Sequence, residues 1–190
     1  PRGAESGHIT ENTTWSGTVV VDGDVTVDPG VTLTIDPGTT VKFQGNWTDL
    51  IVEGSLDADG SSDTITFTSN QVTPAAGDWG KILFQQGSTG LLNSCEISYG
   101  GYSSSVANIF VDNCTTTISD CTIINSATYG TWYELSGAVG PVEIIGNTYE
   151  DNASGAVGLG LTHHAGNIST SFNTSTGNGS TNGIYVKGTS

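Results

Sequence analysis

Residues 92–123 read LNSCEISYGGYSSSVANIFVDNCTTTISDCTI, and the two ends of this stretch resemble each other. The triplet Cys95-Glu96-Ile97 returns as Cys121-Thr122-Ile123, which lies 26 residues further along the chain. The same step leads on to Asn147-Thr148-Tyr149 and then to Asn173-Thr174-Ser175. A fixed period of this length is typical of a solenoid, in which each repeat forms one turn of the chain.

Three further sets of positions keep the step of 26 residues. They are the columns Leu92, Ile118, Ile144, Thr170; Leu83, Ile109, Leu135, Leu161; and Ala107, Tyr133, Leu159, Tyr185. Short apolar alternations such as Val142-Glu143-Ile144 are separated by Gly, Asn and Ser, which indicates short strands joined by turns. No repeat has helical spacing. The pattern predicts an all-β chain, folded as a single-stranded parallel β-helix with coils of about 26 residues in its C-terminal half.

Stacking of like residues follows from this architecture, because residue i lies beside residue i+26 in a parallel coil. Asn147 and Asn173 are predicted to form an amide ladder at a corner, and Cys95 with Cys121 continues that column. Directly stacked positions orient their Cβ atoms alike, which suits a disulfide poorly.

The N-terminal half has the same pattern of short strands and turns, but its spacing is less regular. Short Val- and Thr-rich runs are separated by Asp28-Pro29-Gly30 and Asp36-Pro37-Gly38, where Pro presets φ and Gly accepts a positive φ. We predict that residues 1–18 form an N-terminal lead-in or cap and that residues 19–190 form one β-helix domain.

Charge excludes several classes of partner. Four basic residues stand against nineteen acidic ones, so the net charge is -15 and the pI is about 4.1. Nucleic-acid binding needs a basic surface, and the same deficit disfavours anionic membranes and acidic polysaccharides. No window approaches the roughly 18 apolar residues that membrane insertion requires. We expect a solvated acidic surface.

Glycosylation motifs provide the best indication of location. The sequon Asn-x-Ser/Thr begins at seven of the thirteen asparagines, and N-linked glycans are therefore predicted partners of a secreted or cell-surface protein. These seven are Asn12, Asn46, Asn113, Asn152, Asn167, Asn173 and Asn178. Because Asn152 and Asn178 occupy the same repeat position, we predict that both face solvent at one corner.

Motifs over nearly the whole chain resemble those of right-handed parallel β-helix surface proteins of bacteria and archaea, in the pectate-lyase-like superfamily. They include VDPGVTLTI at 27–35, VEGSLDADG at 52–60 and GDWGKILF at 77–84. The resemblance implies a right-handed parallel β-helix. It implies no particular activity, because these proteins share a fold and not a function.

Enzymes with this fold include pectate lyases and polygalacturonases, which use basic residues with calcium or paired carboxylates. Only Lys42, Lys81 and Lys187 are basic within the coils, and no paired-carboxylate signature is present. We therefore predict a non-enzymatic extracellular structural or adhesive protein. A glycan-binding or glycan-degrading β-helix is the alternative, since the four Trp residues could stack on sugars.

Two ligand hypotheses come from local motifs. Asp57, Asp59 and Asp63 surround Gly60, which suits a structural calcium ion, although an acidic corner turn explains the same residues. No other cofactor is expected. Thr-x-Thr stretches such as Thr32-Leu33-Thr34 are typical of ice-binding faces, but the 26-residue columns contain no outward rank of Thr through all coils.

Assembly is the last expectation. Ile184, Tyr185 and Val186 fall on the strand columns close to the end of the sequence, and an uncapped coil exposes apolar side chains and unpaired strand edges. Either the chain belongs to a longer β-helix, or a second subunit covers this end. The second case predicts a filament or surface array through contact with the segment from Ile9 to Trp15.

Overall fold

The structure is a computed structural model that describes residues 4–102, 106–136, 142–162, 168–179 and 181–189. In these ranges the strands are β1 Glu5–Ile9, β2 Thr13–Trp15, β3 Thr18–Val27, β4 Thr32–Ile35, β5 Thr40–Phe43, β6 Leu50–Val52, β7 Ser55–Asp59, β8 Ile65–Ser69, β9 Ile82–Phe84, β10 Thr89–Asn93, β11 Cys95–Ser98, β12 Ala107–Asp112, β13 Thr115–Ser119, β14 Thr122–Ile124, β15 Tyr129–Ser136, β16 Val142–Ile145, β17 Thr148–Glu150, β18 Gly155–Thr162, β19 Ile168–Ser171, β20 Thr174–Thr176 and β21 Thr181–Thr189. None of these ranges contains a helix of the length and apolarity that crossing a membrane requires.

The strands stack into a parallel β-helix of about six turns, which confirms the predicted fold class. Each turn crosses three faces. Face 1 contains the first half of β3, then β5, β8, β11, β14, β17 and β20. Face 2 contains the second half of β3, then β6, β9, β12, β15, β18 and β21. Face 3 contains β2, β4, β7, β10, β13, β16 and β19.

Alternation along each strand builds the core, because successive side chains point to opposite sides of a β-strand. In β16, Val142 and Ile144 are buried whereas Glu143 between them is exposed. The core also holds large aromatic rings: Phe43 stacks on Trp79 with 4.1 Å between ring centroids, and the Trp79 indole donates a hydrogen bond to the carbonyl of Ser98.

The 26-residue register holds along faces 1 and 3 of the later coils. Leu92, Ile118, Ile144 and Thr170 are successive neighbours, as predicted. Glu96, Thr122, Thr148 and Thr174 are likewise successive neighbours.

Two predicted columns on face 2 are wrong in part. Ile109 lies beside Ile82 and Thr131, and so it neighbours neither Leu83 nor Leu135. Tyr133 lies beside Val111 and Leu159 and not beside Ala107, and Leu159 lies beside Val186 and not beside Tyr185. The cause is the changing length of the connection before face 2, which covers residues 70–81, 99–106 and 125–128 in successive coils. The later connection to face 3 restores the step of 26.

Corners are formed by residues in the left-handed region of φ. The corner between faces 3 and 1 places Ser94, Asp120, Gly146 and Phe172 there, and the corner between faces 1 and 2 places Tyr99, Asn125, Asp151 and Gly177 there. Both sets repeat at 26 residues. A single such residue lets the chain turn sharply between two strands. Six of these eight amides also donate to a carbonyl of the next coil, as Asp120 N does to Ile145 O at 3.0 Å.

Asparagine side chains tie these corners together from coil to coil. Asn147 Oδ1 accepts a hydrogen bond from Cys121 N at 2.9 Å, and Asn147 Nδ2 donates to Ile118 O at 2.8 Å. Asn173 repeats this pattern one coil later, with Asn147 N and Ile144 O as partners. The predicted ladder of Asn147 and Asn173 is therefore confirmed.

The segment predicted as an N-terminal lead-in also contains strands that pair with the strands of the β-helix. Strand β1 pairs with β3 in parallel, and β2 pairs with β4 in parallel. His8 Nδ1 lies 2.6 Å from Asp28 Oδ1, and this hydrogen bond raises the pKa of His8 above 6.5. The parallel strand ladder thus extends into residues 5–15.

Candidate functional site

The sequence predicts candidate sites at seven sequons, three aspartates and two assembly segments. In the structure these sites differ in the orientation and exposure of their side chains. Asn12 and Asn46 are exposed. Asn12 Oδ1 accepts a hydrogen bond from Thr32 N at 2.9 Å, which leaves its Nδ2 without a partner among the described residues. Asn46 makes no hydrogen bond to another described residue, and the neighbouring Trp47 is 67% exposed. Both amide nitrogens are therefore accessible for modification.

The prediction that Asn152 and Asn178 face solvent is wrong, because both side chains are buried at the corner between faces 1 and 2. Asn152 Oδ1 accepts from Ser126 N at 3.0 Å, and its Nδ2 donates to Ile123 O at 3.0 Å. Asn178 makes the same contacts to Asn152 N and Tyr149 O. A glycan bonded to either Nδ2 would require that these donated hydrogen bonds be broken.

The remaining sequons that the structure describes are intermediate in the accessibility of the side-chain amide nitrogen. Asn113 Nδ2 donates to Asp112 Oδ1 at 3.1 Å, while its Oδ1 accepts from Ser136 N. Asn173 is exposed, yet Nδ2 donates to Ile144 O at 2.7 Å within the first ladder. Asn167 lies outside the described residues. Only Asn12 and Asn46, among the sequons that the structure describes, combine exposure with a free amide nitrogen.

The three aspartates of the calcium hypothesis do not converge. Asp57 and Asp59 point outward from β7, and Asp59 Oδ1 accepts hydrogen bonds from Ser61 N and Asn93 Nδ2, which lower the pKa of this carboxyl. The carboxylate of Asp63 lies instead against Gly38. The described ranges hold no group of three His, Cys, Asp or Glu side chains close enough to bind one metal ion. A calcium site stays a prediction, and these three carboxylates are not arranged around one point.

The two assembly segments differ in accessibility. Ile184, Tyr185 and Val186 are exposed on β21. Trp15 is fully buried in the core, so its side chain does not lie at the surface. Ile9 is partly buried against the same core. Both apolar residues therefore pack within the first coil. Contact of another subunit with the segment from Ile9 to Trp15 stays a prediction.

The cysteine thiols and the Lys81 amine, which could act as nucleophiles or bases, are not freely accessible. All three cysteines are buried and free. The hydrogen bond to Cys121, together with burial, raises the pKa of Cys95, and burial raises the pKa of Cys114 to about 11, so both thiols stay protonated at neutral pH. Lys81 Nζ is held 2.7 Å from Asp49 Oδ2, and both side chains are largely buried.

The outer surface of face 2 carries an apolar stripe that sequence periodicity did not reveal. Its members are successive neighbours in the register: Ile51, Leu83, Phe110 and Trp132, followed by Gly158 and Tyr185. The Trp132 ring covers Gly158, and its Nε1 donates to Glu134 Oε2 at 3.1 Å. A groove of about 440 Å³ opens within the stripe, lined by Lys81, Leu83, Gln85, Val106, Phe110 and Asp112.

The outer surface of face 1 carries a column of threonines. Its successive members are Thr18, Thr40, Thr66, Glu96, Thr122, Thr148 and Thr174. Glu96 interrupts this column, so the expectation that no outward rank of Thr runs through all coils holds. The early members do not appear at a step of 26 residues because the early coils differ in length. The adjacent outward column is mixed and includes Lys42 and Glu150, so face 1 lacks a second rank of hydroxyls.

Comparison with protein families gives one match. A family model described as a pectate-lyase like beta helix domain matches residues 7–109, more than half of the chain. No curated protein and no solved structure matches the chain. The match covers the N-terminal coils, where the spacing is least regular, and so it complements the repeat at residues 92–175.

Proposed function

The chain belongs to the pectate-lyase-like β-helix domain family, and on that fold we propose that it is a non-enzymatic extracellular structural or adhesive surface protein. The parallel ladders and the corner asparagines make a stiff rod, since each coil is bonded to its neighbours along three faces. A stiff rod with an acidic, hydrated surface suits a role in display or spacing.

The observation that carries the proposal is the pair of accessible sequons, Asn12 and Asn46. Each presents an amide nitrogen that no described residue binds, and glycans at both positions would be compatible with the folded chain. N-glycosylation belongs to secreted and surface proteins. The location in this proposal is therefore the cell surface or the extracellular space.

The absence of enzyme activity is part of the proposal. Lyase or hydrolase chemistry on a sugar needs an accessible base or a pair of carboxylates beside a cleft. Lys81, whose amine lies beside the groove on face 2, is held in an ion pair with Asp49. Self-association through the last coil is also part of the proposal, because Ile184, Tyr185 and Val186 are exposed there.

Glycan binding is a second candidate function, favoured by the apolar stripe on face 2. Phe110 and Leu83 form an apolar floor in the groove, and Gln85 and Asp112 supply hydrogen-bonding groups at its edge. Apolar surface with a few polar groups is the usual composition of a ligand site. The lining residues of the groove come from two neighbouring coils, so a chain ligand bound there would contact both.

The two candidates are separated by incubating the protein with polygalacturonate, with and without calcium, and with a neutral polysaccharide such as xylan. We expect no unsaturated uronate, no new reducing ends and no retardation in affinity electrophoresis. Release of product would overturn the non-enzymatic proposal.

Two variants interpret any retardation that is observed. Phe110→Ala removes the apolar floor of the groove, whereas Val72→Ala changes an apolar side chain that is fully exposed elsewhere. Retardation that Val72→Ala keeps and Phe110→Ala loses would replace the structural role with glycan binding. Retardation that both variants keep would place any binding outside this groove.

A further inference from the structure

The side of the β-helix where face 1 leads to face 2 carries an exposed pair of aromatic rings. Trp47 lies between β5 and β6 and is 67% exposed, and Tyr102 lies between β11 and β12 and is half-buried. Their ring centroids are 4.8 Å apart and the ring planes are inclined by 72°. The other tryptophans are at most 9% exposed: Trp15, Trp79 and Trp132.

A tight turn holds the exposed indole in place. Thr48 N donates to Gly45 O at 3.1 Å, which closes a β-turn. Asn46 and Trp47 occupy the two central positions of this turn. The side chain of Thr48 is buried, and its hydroxyl donates to Gln44 O at 3.0 Å. The turn is therefore anchored to the β-helix while its two central side chains remain in solvent.

Tyr102 reaches this turn from a later coil. Its amide donates to Trp79 O at 3.2 Å, and the amide of the preceding Gly101 donates to Gly80 O at 2.7 Å. These bonds fix the backbone that carries the second ring. The two rings come together only when the coils stack, so the aromatic pair is a property of the folded chain.

The aromatic pair adjoins one of the two accessible sequons. The sequon at Asn46 has Trp47 as its middle residue, whereas the sequon at Asn12 has Thr13 in that place. The Asn46 side chain is exposed and makes no hydrogen bond to another described residue. A glycan bonded to its amide nitrogen would therefore start directly beside the open indole.

Sugar rings suit a surface of this composition. One side of a sugar ring presents C–H groups that pack on an aromatic ring, while its hydroxyl groups need polar partners or water. Gln44 directly precedes the turn, and its Oε1 accepts a hydrogen bond from Asn70 Nδ2 at 3.1 Å. These two amides supply polar groups on the same side of the β-helix.

Tethering determines which sugar occupies the aromatic pair. A single contact between a sugar and an aromatic ring is weak for a sugar that is free in solution, but a short covalent link gives effective concentrations in the millimolar range. A glycan on Asn46 has this advantage, and a free polysaccharide lacks it. A second copy of the chain also lacks it, and the net charge of -15 opposes its approach.

We propose that an N-linked glycan on Asn46 folds back onto Trp47 and Tyr102, with its first sugars packed on the exposed indole. The proposal rests on the proposed function, which places a glycan at Asn46, and it adds a binding surface to that modification. The contact covers exposed apolar surface and exists only in the folded chain. The glycan therefore stabilises the fold.

Acrylamide quenching of tryptophan fluorescence tests the contact, because Trp47 is the one exposed tryptophan of the chain. The unmodified chain is compared with Asn46→Gln, both produced in the organism that makes the protein. A sugar that shields one of the two faces of the indole should lower the quenching constant of the accessible component about twofold in the glycosylated chain. Asn12→Gln removes a glycan that has no exposed ring beside it and should quench like the unmodified chain.

A thermodynamic cycle separates packing on the ring from simple crowding around it. Loss of the glycan through Asn46→Gln should lower the Tm by about 1–6 °C when Trp47 is present, the effect of one aromatic contact in a chain of this length. In a Trp47→Ala background, the same loss should change the Tm by less than about 1 °C.

Glycopeptide mass spectrometry of each sample shows whether Asn46 is glycosylated. If it is, equal quenching with and without the glycan overturns the contact and leaves the surface role untouched. An equal loss of Tm in the two backgrounds does the same. If Asn46 is unmodified, the contact is overturned as well, and the surface role is affected only when every other sequon is also unmodified.

Discussion

Replacement of Ile144 by alanine should lower the free energy of unfolding by about 2–5 kcal/mol, the usual cost of a buried Ile→Ala change. Ile144 is fully buried in β16, with Ile118 and Thr170 as its neighbours in the ladder. The substitution removes apolar contacts and leaves a void that a stiff helix cannot collapse to fill. Ile118→Ala, one coil deeper, should cost at least as much because Ile118 is fully buried between Leu92 and Ile144.

The control is Glu143→Ala, one residue away on the same strand and exposed. An exposed substitution without a buried partner changes stability by less than about 0.5 kcal/mol. Urea denaturation of the three variants measures the difference. Similar small losses for Ile144→Ala and Glu143→Ala would mean that the inner and outer faces of β16 have been exchanged.

Asn152→Ala should cost a comparable amount, about 2–4 kcal/mol, although the residue is polar. The substitution leaves the buried Ser126 N without its acceptor, which costs about 1–3 kcal/mol, and removes one hydrogen bond donated to Ile123 O, which costs about 0.5–1.5 kcal/mol. Asn46→Ala is the matched control, because this asparagine is exposed and makes no hydrogen bond to another described residue.

The same denaturation experiment distinguishes a ladder from a surface sequon. Equal stability of Asn152→Ala and Asn46→Ala would show that the corner asparagines do not bond successive coils. A large loss confined to Asn152→Ala supports a structural role for the buried pair, Asn152 and Asn178.

The fold was predictable from the sequence because three features agree: the 26-residue step, the short apolar alternations and the Asp-Pro-Gly turns. The step predicts the neighbours of Ile118 correctly, since faces 1 and 3 keep it. It fails for Ile109, because connections at the corner before face 2 change length and later compensate. A fixed period gives the total number of residues in one turn, but it does not show how they are divided among the strands and connections.

The orientation of the sequons was harder to predict. The motif Asn-x-Ser/Thr contains no information on which side of a strand or corner the asparagine lies. The repeat did contain a usable signal, because Asn152 and Asn178 are related by the same step as the ladder of Asn147 and Asn173. Asparagines that recur at every coil are typical of inward corner ladders, whereas Asn12 and Asn46 lie outside that repeat and remain exposed.

The stripe on face 2 and the threonine column on face 1 could not be read from the sequence. Both depend on registers between coils of unequal length, such as Thr40 beside Thr66 but Thr66 beside Glu96. Predicting these features would require the register between each pair of neighbouring coils.

The most direct test of the proposed surface role is glycopeptide mass spectrometry on the protein isolated from the organism that makes it. The structure and the proposed location together predict N-linked glycans on Asn12 and Asn46 and unmodified peptides for Asn152 and Asn178. Absence of carbohydrate from every sequon would contradict the proposal of a glycosylated extracellular protein, and glycans on Asn152 or Asn178 would contradict the buried corner ladder.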